Sequence, residues 1–225
     1  EQAAYVRALR TSGEALLGLV DDILDLAKVE SGKIELQAAP LDPARLVEDV
    51  VELFAPRAQA KGLDIAAAIA ADVPAQIVGD AERLRQILGN LVGNAIKFTA
   101  SGGVELRLES HAEGLRFLVE DTGMGIPTER QEAIFQEFEQ ADAETGRVHG
   151  GTGLGLAIVR RLAGAMGGSV SVASVAGKGA RFEVRLPLAV VQGAPLIAPP
   201  DWTGRSVLIL SPSVFSGPGL AAMAE

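Results

Sequence analysis

Apolar residues near the start of the chain recur in alternating steps of three and four: Val6, Leu9, Gly13, Leu16, Val20, Ile23 and Ala27. That spacing places them on one stripe of an α-helix. Leu17 and Leu24 widen the stripe to the breadth a helix bundle uses, and Ser31-Gly32 ends it with a residue that tolerates positive φ. A surface helix packed on its own domain would show the same stripe. The period then changes. Alternation over 33–37 predicts a short strand, Pro40 to Pro43 a turn, and 44–61 a second amphipathic helix with Leu46, Val50, Leu53 and Phe54 on one side. Strands are predicted over 63–69 and 76–78. Asp80 can cap a helix running through Lys97, with Leu84, Ile87, Leu88, Leu91 and Ile96 inward. Strands over 104–109 and 115–120 are joined around 111–114. A short helix near 129–138, a polar glycine-bearing stretch over 140–152, a helix over 154–166 and a hairpin of 169–174 with 180–186 complete the series. These elements predict an α+β fold, a two-layer α/β sandwich whose antiparallel-rich sheet carries helices on one face.

Composition narrows the function classes. The 225 residues are 48% hydrophobic but only 4% aromatic, so a globular core built mostly from alanine, leucine, valine and glycine is expected. A net charge of −9 argues against nucleic-acid binding, which calls for a basic surface. Without cysteine there is neither a disulfide framework nor a thiolate metal site. Every apolar run is broken well before the length of a membrane span, and Glu1 opens into amphipathic sequence with no leader, so a cytoplasmic-type domain that is not membrane-inserted is expected.

Three segments carry candidate chemistry. Gly150-Gly151-Thr152-Gly153-Leu154-Gly155-Leu156 stands where a polar loop enters a helix. Glycines there let the backbone approach an anion, and the first helical N–H groups point outward unsatisfied, so a phosphate chain fits. A tight turn would use the same residues. No strand precedes the loop, as a dinucleotide fingerprint requires, and no Lys-Ser or Lys-Thr closes it as in a Walker loop. Asp121-Thr122-Gly123-Met124-Gly125 follows a strand; a carboxylate there can accept a hydrogen bond from an exocyclic amine while the glycines make room for a ring, although an ordinary Asp-Thr-Gly turn reads alike. Asn90, Asn94 and Lys97 share one helix face. Asparagine forms helices poorly and is costly to bury unpaired, whereas its amide oxygen suits Mg²⁺ and Lys97 adds positive charge. Incidental polar residues on a helix remain the alternative.

In this order the segments resemble the sensor histidine kinases. Arg83 to Thr99 (RLRQILGNLVGNAIKFT) is similar to their N box, Asp121 to Gly125 to the first glycine box, Phe135 and Phe138 to the phenylalanine box, and Gly151 to Leu156 to the second glycine box. Gly177-Lys178-Gly179-Ala180-Arg181-Phe182 is similar to the small glycine motif before the last strand. The resemblance runs from about residue 5 to about 188 and implies a Bergerat-type ATP-binding fold. It implies that Asn94 holds Mg²⁺, that Asn90 and Lys97 support the phosphates, and that Phe98 lies against the nucleotide. Asp121 would receive the adenine amino group, with Gly123, Gly125 and Ile126 beside it. Backbone amides of Gly151, Thr152, Gly153, Leu154, Gly155 and Leu156 would bind the phosphate tail. Residues 140–150 would be a lid, with Arg147 as a γ-phosphate contact and a catalytic residue together with Asn90 and Lys97. Phe135 and Phe138 are read either as the lid's hinge or as plain core.

The same resemblance makes residues 1–32 the second helix of a dimerisation domain, which implies a homodimer and places the phosphate-accepting histidine upstream of Glu1. His111 in a hairpin and His149 beside the glycine loop both lack the acidic neighbour such an acceptor has. Residues 33–188 are the expected ATP-binding domain and 189–204 a linker rich in proline, glycine and alanine. Residues 205–225 resemble the opening of a receiver domain, with Ser211-Pro212-Ser213 where acidic ligands for Mg²⁺ would stand. A response regulator or receiver domain is the implied phosphate-receiving partner. Two other readings stay open: another ATPase of the same nucleotide fold, against which the near absence of glutamate on the N-box helix counts, and a nucleotide-binding interaction module that transfers nothing.

Overall fold

The computed structural model describes residues 35–139 and 153–196, and otherwise only positions 5, 13 and 20. The amphipathic N-terminal helix, the stretch 140–152 and the tail from 197 therefore lie outside the described residues. Strand β1 (Ala39–Leu41) leads into helix α1 (Pro43–Ala60), followed by β2 (Asp64–Ile69), β3 (Ile77–Gly79) and helix α2 (Ala81–Phe98). Strands β4 (Gly103–His111) and β5 (Gly114–Asp121) form a hairpin, and two 3₁₀ turns occupy Thr128–Arg130 and Ala133–Phe135. Helix α3 (Gly155–Ala165), β6 (Ser169–Ser174), β7 (Ala180–Leu186) and β8 (Ala189–Val190) complete the order.

The main sheet runs β2-β4-β5-β7-β6, with β2 parallel to β4 and the other neighbours antiparallel. One face carries the helices, which is the two-layer sandwich expected. Register decides which residues meet them. Val104, Leu106 and Leu108 of β4 lie opposite Asp121, Val119 and Phe117 of β5, and Val119 lies opposite Phe182 of β7. Because side chains alternate across a strand, this set shares the helix-facing side and includes Asp121. Glu105, Arg107 and Glu109 point to the other side, where Glu105 is buried against the Arg107 guanidinium at 2.6 Å and Arg116 pairs with Glu109 at 2.5 Å.

Helix α2 forms because Asp80 accepts from the N–H groups of Glu82 and Arg83, both at 3.1 Å, and because Leu84, Ile87, Leu88, Leu91, Val92, Ala95 and Ile96 fall on one buried stripe. Each of its Leu, Ile and Val side chains stabilises the fold by about 1.5–3 kcal/mol on full burial. In the same way Asp42 caps α1, accepting from Ala44 and Arg45. Leu46 and Val50 of α1 are buried and Phe54 packs against the core, as the pattern predicts, but Leu53 is 74% exposed and Val47 takes the inward position instead.

Three sequence expectations are corrected. The described part of the strand expected over 33–37, residues 35–37, is not a strand; the strand lies later, at Ala39–Leu41, overlapping the predicted Pro40–Pro43 turn. Pro40 fits because β1 is the edge of a small sheet ordered β1-β3-β8, where a missing N–H costs nothing. The single short helix over 129–138 is instead two separate 3₁₀ turns. The start of the expected linker is not free: Ala189 and Val190 pair with β3, Val191 donates to Gln76 at 3.1 Å, and Leu196 bridges Pro74. Among the described residues no helix is long and apolar enough to cross a membrane.

Candidate nucleotide site

The candidate residues converge where the end of α2, the end of β5 and the start of α3 meet. Asn90 and Asn94 are half-buried on α2 and face the first turn of α3: a Cβ built on Gly155 would stand 3.5 Å from the Asn90 Oδ1 and 4.0 Å from the Asn94 Nδ2. Two amides are thus held beside a helix N-terminus. Leu154 makes no side-chain cap at that end, and a helix N-terminus turns its first N–H groups outward, where an anion can meet them. Leu154 itself is buried in the core and Leu156 packs against it, so the position of the helix is set by apolar burial.

Asp121 is 7% exposed on the helix-facing side of β5. It accepts the Gly123 N–H at 2.8 Å. Burial pushes its carboxyl above the usual range, opposed by hydrogen bonds from the Gly123 and Ala180 backbone and reinforced by the neighbouring Glu120. The loop after it must pass very close to its neighbours. A Cβ on Gly123 would lie 2.6 Å from the Phe98 carbonyl oxygen and 2.8 Å from Asp121 Oδ1. Gly125, at φ 68°, would place one 2.1 Å from the Val175 carbonyl in the β6–β7 turn. No larger residue fits at either place.

Ser174 and Gln131 fix the far side of this loop. Ser174 Oγ accepts the Ile126 N–H at 2.8 Å and donates to the Gly179 carbonyl at 2.7 Å. Gln131 donates to the carbonyls of Ile126 and Ser174 at 3.0 and 2.9 Å. Ile126 packs against the core rather than standing free.

Lys97 extends over the Phe98 ring, its Nζ 4.6 Å from the centroid. Partial burial and then the nearby Arg57 guanidinium push its pKa down. The lysine and aromatic therefore form one unit at the end of α2, with Asn90 and Asn94 up to two turns earlier on the same face. Phe135 and Phe138 differ: Phe135 is buried edge-on against Phe182, 6.3 Å between centroids, with Arg160 over its ring at 5.2 Å. Phe138 is 65% exposed at φ 61°, its backbone against Gly153. Arg147, His149, Gly151 and Thr152 lie outside the described residues. Sequence reasoning missed Lys61, Thr99, Gln131 and Ser174, each of which has a partner at least 35 residues away that leaves no local signal.

The chemistry of the donors fits a nucleotide with Mg²⁺. The amide oxygens of Asn90 and Asn94 are hard donors of the kind Mg²⁺ takes beside phosphate oxygens and water.

This arrangement of sheet, amide-bearing helix and glycine turns defines an ATPase fold, and residues 79–190 match the family described as histidine kinase-, DNA gyrase B- and HSP90-like ATPase. Within that family the chain belongs to the sensor histidine kinases, as an ATP-binding kinase core of two-component sensors. It is 40% identical over 215 residues to the sensor histidine kinase GacS of Pseudomonas protegens, covering 93% of this chain and 23% of that protein. To the signal transduction histidine-protein kinase BarA of Escherichia coli K12 it is 40% identical over 186 residues, covering 80% and 20%. Full-length ShkA, solved in complex with AMPPNP, superposes with a TM-score of 0.88 at 43% identity over 99% of this chain and 46% of that one. Histidine kinase AdeS of Acinetobacter baumannii gives 0.67 at 26% identity, covering 80% and 82%. The chain thus spans less than a quarter of the length of these curated relatives.

Proposed function

We propose that this chain binds ATP with Mg²⁺ between α2, β5 and α3 and presents the γ-phosphate to a histidine on another segment of the protein. The observation that carries this reading is the meeting of Asn90 and Asn94 with Gly155 beside the open end of α3. In it, Asn94 holds Mg²⁺ through its amide oxygen, while Asn90, Lys97 and Arg147 are the catalytic residues on the phosphate side. Phe98 lies against the nucleotide. Asp121 accepts the adenine amino group, with Gly123, Gly125 and Ile126 shaping the ring's recess. The backbone of 151–156 receives the phosphate tail. Bound Mg²⁺ would offset phosphate charge; the chain's own residues bind, orient and exclude water.

Residues 1–32 are proposed to be a dimerisation helix that makes the protein a homodimer, 33–188 the catalytic domain, 189–204 the connection, and 205–225 the start of a receiver-like domain. A response regulator or receiver takes the phosphate, and the assembly works in the cytoplasm. The AMPPNP bound in ShkA supports the nucleotide part.

Titration tests the site. Asn94→Ala should weaken MgATP binding about tenfold or more while adenosine binding is nearly kept, since a hydrogen bond to a charged group contributes ~1.5–3 kcal/mol. Asp121→Asn should instead erase the preference for adenine over guanine nucleotides. Two variants with parental affinity and base preference would remove both assignments.

A further inference from the structure

Helix α1 lies beside α2 on the helix-bearing face of the sheet. Phe54 lies over Gly89 and Gly93, its ring carbons 3.7 and 3.4 Å from where Cβ atoms would stand. Further along the same stripe of α1 comes buried Ala58, and then Lys61 just past the helix end. Lys61 reaches the C-terminal end of α2, where a helix leaves its last carbonyls without intrahelical partners.

Those carbonyls are all answered. Ala95 O receives the Thr99 N–H at 3.1 Å and the Thr99 hydroxyl at 2.7 Å. Phe98 O receives the Met124 N–H at 3.4 Å, which ties the helix end to the loop after Asp121. The remaining three, on Ile96, Lys97 and Thr99, accept from Lys61 Nζ at 2.7, 3.0 and 3.4 Å. An ammonium has three protons, one for each. Its positive charge also sits at the negative end of the helix dipole.

We propose that Lys61 is a positioning residue for nucleotide binding: its ammonium clamps the last turn of α2 and so sets Lys97 and Phe98 against the Asp121 loop. This rests on the reading of Lys97 and Phe98 as nucleotide contacts. Three of the segment's carbonyls depend on one side chain from another helix, so a neutral residue at 61 leaves those of Ile96, Lys97 and Thr99 without that donor and loosens the turn that carries Lys97 and Phe98. The core stripe of α2, from Leu84 to Ile96, stays buried without it. The effect therefore falls on the site more than on folding.

The test is calorimetric titration of the full chain with MgATP. Lys61→Met should lose about tenfold in affinity, and Lys61→Arg, which restores a charged donor, should stay within about threefold of the parent. Lys61→Met is then combined with Lys97→Met and Phe98→Leu. If Lys61 acts through those two residues, it adds less than about threefold in that background. Should Lys61→Met not fold, Lys61→Gln replaces it throughout, with a loss of about threefold to tenfold expected. Parental affinity in the neutral variant, an Arg variant as weak as Met, or fully additive losses would each overturn the proposal. A parent chain that binds no MgATP would overturn the nucleotide-site reading as well, which separates the two failures.

Discussion

Asp121 shows how a site residue is held at a cost to the fold. Its place at the end of β5, on the helix-facing side, buries a carboxylate whose visible partners are backbone amides. Because burial raises its pKa, the folded state holds the proton more tightly than the unfolded chain. Below the usual carboxylate range both states are protonated and folding is unaffected. As pH rises from that range through the raised folded value, the unfolded chain ionises first and stability falls, and the deficit persists above it. Asp121→Asn, which keeps an acceptor for the Gly123 N–H, should therefore melt higher than the parent at neutral pH. The gain should shrink as the pH is lowered into the carboxylate range. Thermal melts over that interval check this, and a variant less stable than the parent at neutral pH would contradict the burial argument. The stability–function opposition is typical of binding sites, where a group is kept for its ligand and not for the fold.

Helices and strands divide by whether their signal is local. Most of the stripe of α2 was legible, since Leu84, Ile87, Leu88, Leu91 and Ile96 are all completely buried, and only Val92 and Ala95 join them unforeseen. Strands β6 and β7 fall on the predicted residues because their alternation is uninterrupted. Leu53 was misread: spacing alone puts it on the inward side of α1, but the packing of α1 on α2 turns Val47 and Val50 inward and leaves Leu53 in solvent. The contrast is measurable. Leu88→Ala should cost about 2–5 kcal/mol through the cavity it leaves. Leu53→Ala should stay within about 0.5 kcal/mol of the parent. Denaturant melts decide, and a large loss at Leu53 would show that this face is covered. Strands β1 and β8 were illegible because pairing across the chain, not propensity, makes them strands: β1 contains a proline, and β8 is two residues inside a proline- and glycine-rich stretch.

At the scale of the whole molecule, motifs scattered from Asn90 to Leu156 have meaning only through topology. The antiparallel β4–β5–β7 ladder brings Asp121, Gly179 and the β6–β7 turn together, and α3 lies across α2 so that Gly155 meets the two asparagines. The order of the motifs was readable and suggested the family; their convergence was not, since no local pattern encodes which helix faces which. The Lys61 clamp is likewise a product of pairing between distant residues. The central claim, that this cleft delivers the ATP γ-phosphate to a histidine elsewhere in the protein, is tested most directly by incubating the complete protein with γ-labelled ATP and Mg²⁺. In-line transfer needs a positioned acceptor. The account predicts label that is acid-labile and stable to alkali, as a phosphohistidine is, lying outside residues 1–225 and abolished by Asn94→Ala. Label on His111 or His149, or ATP hydrolysis with no phosphoprotein formed, would contradict it.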